Sequence, residues 1–200
     1  IKYLASLSGI DLNTTDDDNK TLLHIATEAR DCENIVNCLL TLNQIPINSK
    51  DKDGRTVLHY ACQRKSLNLI KNLSKRQELD VTATDSNGMN ILHIACNEAE
   101  DIDIIRFIVS LHKIDVNEKS SDGNTPLHYL CNNNQNSGDY FLIVKYFSTL
   151  KDVDVTITNE EGQNVLHILC GSDNLQLVKH FVSFDKIDVS AKDNEGRNPL

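Results

Sequence analysis

The sequence predicts an all-α solenoid, a stack of helix-turn-helix units joined by short β-hairpin-like turns. Three observations carry this reading. The word Leu-His-x recurs as Leu23-His24-Ile25, Leu58-His59-Tyr60, Leu92-His93-Ile94, Leu127-His128-Tyr129 and Leu166-His167-Ile168, with histidines 35, 34, 35 and 39 residues apart. A period in this range marks stacked supersecondary units rather than one globular core. A glycine stands five residues before four of the histidines (Gly54, Gly88, Gly123, Gly162), and Gly196 opens a sixth, cut-off copy. A capping residue stands three before each histidine, and an amphipathic segment follows each one.

The elements of one unit follow in order. Before each glycine runs a polar stretch such as Asp51-Lys52-Asp53 or Asp85-Ser86-Asn87. Asp and Asn bond their own backbone and Gly accepts positive φ, so each run predicts a tight turn. The first copy puts Asn19 where the glycine would stand, and Asn is the next best residue for that conformation. Thr21, Thr56, Asn90, Thr125 and Asn164, with Asn198 in the last copy, are N-caps for a first helix. Pro126 and Pro199 follow at the first helical position, where proline is tolerated. Apolar spacing such as Ile102, Ile104, Ile105 and Ile108 predicts an amphipathic second helix. An extended exit, for example Ile114-Asp115-Val116-Asn117, closes the unit. In the fourth unit Asn132 to Gly138 reads as a loop inserted between the helices.

This arrangement resembles the ankyrin repeat, whose motif runs Asp-x-x-Gly-x-Thr-Pro-Leu-His-x-Ala. Asp122-Gly123-Asn124-Thr125-Pro126-Leu127-His128 is the best match, and the resemblance covers nearly the whole chain. Most copies put Leu22, Val57, Ile91 or Val165 in place of the proline, and the glycine usual between the two helices is missing from most. The 200 residues read as one array: 1–13 as part of a repeat, 14–48, 49–83, 84–118, 119–157 and 158–191 as repeats, and 192–200 as the start of another. The chain reads as a segment of a longer array.

Bulk composition narrows the functions. The chain is 40% hydrophobic and 24% charged, and its net charge of −9 argues against a general nucleic-acid binder. No apolar run approaches the ~20 residues of a membrane span. Cys62, Cys96, Cys131 and Cys170 each lie three residues after a repeated histidine. They read as small buried hydrophobes, reduced, in an intracellular and most plainly cytoplasmic setting. His-x-x-Cys places two metal ligands on one helix face. A zinc site needs four, and one pair cannot easily borrow ligands from the next repeat, so no metal is expected. No cofactor is expected either. Asp101 with Asp103, and Glu160 with Glu161, read as solvated charge. No motif of a known chemistry is present, so the chain is not expected to be an enzyme. His112 and His180 lie off the repeat register and read as surface or helix-face residues.

Recognition residues are sought among positions that vary while the framework repeats. Around the turn these are Lys52, Asp53 and Arg55; Ser86, Asn87 and Met89; Ser121, Asp122 and Asn124; and Glu160, Glu161 and Gln163. At the end of the first helix they are Gln63 and Arg64, Asn97 and Glu98, Asn132 and Asn133, and Gly171 and Ser172. The resemblance implies that both sets line a concave groove that grips a protein partner. It also implies that Asn13, Asn48 and Asn117, at matching places in the exit, are candidate substrates of an asparaginyl hydroxylase; the alternative is that asparagine simply suits the turn. The expected function is a protein-interaction scaffold, monomeric, without nucleic-acid or membrane contact. Two alternatives stand: a regulatory or targeting segment of a larger enzyme or channel, and a mechanical spacer.

Overall fold

The threonine or asparagine ahead of each Leu-His pair sets where the helices begin. A computed structural model describes residues 11–29, 32–42, 45–133, 138–172 and 174–199. Among these it holds ten helices and no strand. They are α1 Leu22–Glu28, α2 Cys32–Leu39, α3 Val57–Gln63, α4 Leu67–Leu73, α5 Ile91–Asn97, α6 Ile102–Ser110, α7 Pro126–Asn132, α8 Gly138–Ser148, α9 Val165–Cys170 and α10 Leu175–Val182. One helix pair falls in each of the five repeats read from the sequence. Most of residues 1–13 lie outside the described residues. No described helix is long and apolar enough to cross a membrane.

The chain divides into two compact units, Ile1–Ser86 and Asn87–Leu200. In the first, α1 packs on α2 and α3, and α4 packs on α3 and α2. Leu23, Val36, Leu39, Leu58, Ala61, Cys62, Leu69, Ile70 and Leu73 are buried between them. In the second, α5, α7 and α9 stack in sequence, and α8 packs on α10. Leu92, Cys96, Ile105, Leu127, Leu130, Cys131, Val144, Phe147, Leu166, Leu169, Leu177 and Phe181 fill that core. Burying each of the Leu, Ile, Val and Phe side chains contributes about 1.5–3 kcal/mol. That burial, more than intrinsic propensity, holds helices of six to eleven residues.

The turns close as small hairpins. Asp51 shows the pattern: its N–H donates to Arg55 O at 3.0 Å, and Gly54 N–H donates to Asp51 O at 3.0 Å. The Asp51 carboxylate accepts from the N–H groups of Asp53 and Arg55 and from the Tyr60 hydroxyl at 2.6 Å. Burial alone would raise the carboxyl's pKa; these bonds outweigh it and hold it below its ordinary value. Asp16, Asn159 and Asp193 occupy the same place and accept the same backbone pair.

Neighbouring tips are laced by backbone bonds: Lys52 N–H to Asp18 O and Ser86 N–H to Asp53 O in the first unit, then Ser121 N–H to Asn87 O, Glu160 N–H to Asp122 O and Asn194 N–H to Glu161 O in the second. This lacing explains the glycines. Gly123 has φ +72°, and a Cβ there would stand 2.7 Å from Glu160 N. Asn19 adopts the same region at φ 58°. Lys65 does so at φ 55°, in the α3–α4 turn that lacks the usual glycine.

One reading is corrected and two gain detail. The exits are turns rather than extended segments: the carboxylates of Asp80, Asp115, Asp154 and Asp188 each accept the N–H two residues on. Part of the extra length of the fourth repeat is helical. Buried Ile143, Val144 and Phe147 lie 15, 16 and 19 residues after His128, whereas Ile104, Ile105 and Ile108 lie 11, 12 and 15 after His93. The added four residues therefore precede Ile143, and they lengthen α8 to 11 residues against nine in α6. Gly138 is the first residue of α8, and Tyr140 in the added turn is buried, donating its hydroxyl to Leu130 O. Residues 134–137 lie outside the described ones. Finally, His180 lies on a face of α10, one of the two places read for it. It is half-buried, edge-on to Phe141, Phe181 and Phe184, with Nε2 2.9 Å from Ser148 Oγ. His112 is exposed, at φ 51° just past α6.

Candidate functional site

The framework must be separated from what it presents. Each repeated histidine is the third residue of its helix, and its Nδ1 accepts the N–H of the capping residue: Thr21, Thr56, Asn90, Thr125 or Asn164, at 3.1–3.2 Å. An N–H aimed at Nδ1 fixes the neutral tautomer with the proton on Nε2. That proton is donated onward: from His24 to Arg55 O, from His93 to Glu118 O, from His128 to Gln163 O and from His167 to Arg197 O. Burial, before any other cause, pushes the pKa of His24 below its ordinary value and that of His128 down to about 4.

With both ring nitrogens engaged, the imidazoles of His24, His93, His128 and His167 have no lone pair left for a metal. Among the described residues no group of His, Cys, Asp or Glu is arranged to hold one. Cys62, Cys96 and Cys131 are fully buried, and burial pushes their thiols well above the ordinary range. Cys170 is half-buried.

Asn48 and Asn117 belong to the framework too. Asn48 Nδ2 donates to Glu78 O at 2.6 Å, and its Oδ1 accepts Asp80 N–H at 2.9 Å. Asn117 repeats this on Asp152 O and Asp154 N–H at 2.6 and 2.8 Å. Each amide staples one exit turn to the next. Asn13 instead donates its side-chain amide to Asp11 Oδ1 at 3.1 Å, within its own turn.

The candidate recognition residues divide in the same way. Lys52, Asp53, Gln63, Ser86, Asn87, Asn97, Ser121, Asp122, Asn132, Glu160 and Glu161 are exposed on tips or first-helix ends. Met89, Glu98 and Gln163 are half-buried beside them. Five candidates are tied to neighbouring repeats, among them exposed Lys52, whose Nζ donates to Asp18 Oδ1 at 3.2 Å. Arg55 reaches Asp85 at 3.9 Å, with its Nε buried. Arg64 donates to Glu28 O at 3.1 Å, Asn124 Oδ1 accepts from Asn159 at 3.1 Å, and Asn133 donates to Asn97 O at 2.9 Å.

In the second unit a cavity of about 180 Å³ opens among Asn124, His128, Tyr129, Asn132, Asn159, Glu161, Gln163 and Ile168. It brings the two predicted sets, tips and first-helix ends, onto one site. Sequence reading missed Tyr129 and Ile168. The signal was present in the third letter of Leu-His-x, which alternates Ile, Tyr, Ile, Tyr, Ile instead of staying fixed. A second opening of about 600 Å³ lies between α6 and α8, lined by Ile102, Arg106, Leu142, Tyr146 and others. Leu142, in the extended α8, is 56% exposed there.

The comparisons agree with this architecture. No curated protein matches the chain. Its fold is similar to the ankyrin repeat domain of Bcl-3, described as a unique member of the IkappaB protein family: TM-score 0.77, 23% identity, 98% of this chain and 83% of that one covered. The family model for ankyrin repeats (3 copies) matches residues 1–85 and 65–143. Ankyrin repeats are in general protein–protein interaction modules without enzymatic activity. The chain belongs to the ankyrin-repeat family.

Proposed function

We propose that this chain is a protein-interaction scaffold that binds an intracellular protein partner on the surface made, within each unit, by hairpin tips and first-helix ends. One observation carries the reading: histidine, cap and tip-lacing bonds recur from repeat to repeat, while the side chains presented beside them change. A frame this repetitive holds those side chains at fixed spacing, which lowers the ordering cost of binding. The tips carry different patterns of charge, with Lys52 paired to Asp18 and beside Asp53 in the first unit and Asp122, Glu160 and Glu161 in the second, so electrostatic complementarity selects among partners.

The test is capture of partners from the native cell by the chain and by two variants. One carries Lys52→Glu and Asn132→Trp on the proposed surface. The other carries Gln176→Trp and Lys179→Glu on α10. Loss of the same partner with the first variant alone supports the reading. Equal capture by both, with the fold intact by circular dichroism, contradicts it.

A further inference from the structure

The cavity beside Tyr129 is too small for a separate ligand and suited to one side chain. Pockets for small molecules run to about 300–1,000 Å³, whereas this one is about 180 Å³. Its polar groups are not equally available. His128 Nε2 is bound to Gln163 O, and Asn159 is spent on Asn124 and on the N–H groups of Glu161 and Gln163. The side chains of Asn132, Gln163 and Glu161 make no hydrogen bond within the described structure. They offer two amide oxygens and one carboxylate toward the same space.

Glu161 also feels Arg197. That guanidinium is already held by Asp193 at 2.7 Å and Glu195 at 2.8 Å, so the site keeps its negative character. Asp122 on the neighbouring tip adds to it, and Lys119, which His128 feels, is bonded to Thr158 O at 2.7 Å. Against the polar side stand the Tyr129 ring and Ile168, both half-buried. They suit the methylene stem of a long side chain.

Resting on the scaffold reading above, we propose that this cavity seats a basic side chain of the protein partner. Its aliphatic stem lies against Tyr129 and Ile168, and its cationic head lies at Glu161 among the amide oxygens of Asn132 and Gln163. An acidic or purely apolar anchor would leave the carboxylate either repelled or buried unpaired.

The experiment is an NMR titration of the whole chain with N-acetyl-lysine methylamide, watching the side-chain amide signals of Asn132 and Gln163. N-acetyl-norleucine methylamide and N-acetyl-glutamate methylamide serve as controls. The expected result is a saturable shift of both amides with the lysine probe alone. Glu161→Gln weakens it about tenfold, and Asp185→Asn, outside the cavity lining, leaves it within about twofold. No saturable shift, an equal shift with norleucine, or equal weakening by both substitutions overturns the proposal. If the lysine probe fails while partner capture still depends on Asn132, the basic anchor falls and the scaffold reading stands. If capture is also indifferent to Asn132, both fall.

Discussion

His128 donates from Nε2 to the carbonyl of Gln163, one repeat further on, while its Nδ1 receives the N–H of Thr125. One neutral imidazole thus ties a helix start to the following tip, which carries residues of the proposed surface. His128 is 1% exposed, and burial holds its pKa at about 4 against 6.5 in an unfolded chain. Between those values the unfolded chain binds more protons than the folded one. The stability linked to this group is therefore complete above pH 6.5 and lost as pH falls toward 4, by about 3 kcal/mol. Urea melts across that window should show the decline, and His128→Gln should flatten much of it while lowering stability at pH 7.

The Asn117 staple should be worth a measurable amount. Asn117→Ala removes two hydrogen bonds at a partly exposed site, so a loss of about 1–2 kcal/mol is expected in thermal or chemical melts. Thr156 occupies the equivalent exit position and makes no such staple; its hydroxyl bonds Asp154. Thr156→Asn should gain up to about 1 kcal/mol by reaching the exit that follows. A destabilised Thr156→Asn protein would contradict this account of the asparagines.

Two glycines with almost the same φ should respond differently. Gly123 and Gly196 stand at φ +72° and +78°. A Cβ on Gly123 meets the backbone of the next tip, whereas one on Gly196 meets nothing within 4 Å. Gly196→Ala should cost about 1 kcal/mol of left-handed strain alone. Gly123→Ala should cost at least about 2 kcal/mol, and amide exchange at Glu160 should rise with it. Equal costs would mean that tip lacing adds little.

The thiols offer a kinetic test. Cys62, Cys96 and Cys131 are fully buried and hard to ionise, whereas Cys38 on α2 is half-buried. Iodoacetamide labelling read by mass spectrometry should modify Cys38 first. It should reach the other three only at the rate at which the chain opens. Early labelling of Cys96 would show a looser core than described.

Much of this was legible because each signal is local. A cap, a histidine three residues on and a glycine five residues before it act within one turn, so the helix starts and tips could be read directly. The exit turns were missed because Asp80-Val81-Thr82 alternates polar and apolar residues like a strand, and only the carboxylate-to-backbone bond reveals the turn. The earlier start of α8 at Gly138 was not legible because the run before it is rich in Asn, and the inward Tyr140 that rewards helix formation is a tertiary effect. Variability alone does not show that Arg55 and Asn124 also bond the neighbouring repeat, because that contact is made across the stack. Tyr129 and Ile168 were overlooked because they sit inside the most regular word in the sequence.

The central claim is that the partner lies on hairpin tips and first-helix ends. Hydrogen exchange of the chain alone and with its captured partner tests it most directly. The account predicts new protection at residues 52–55, 86–89, 121–124 and 160–163 and at the C-terminal ends of the first helices. Protection confined to the second helices, α6, α8 and α10, would contradict it.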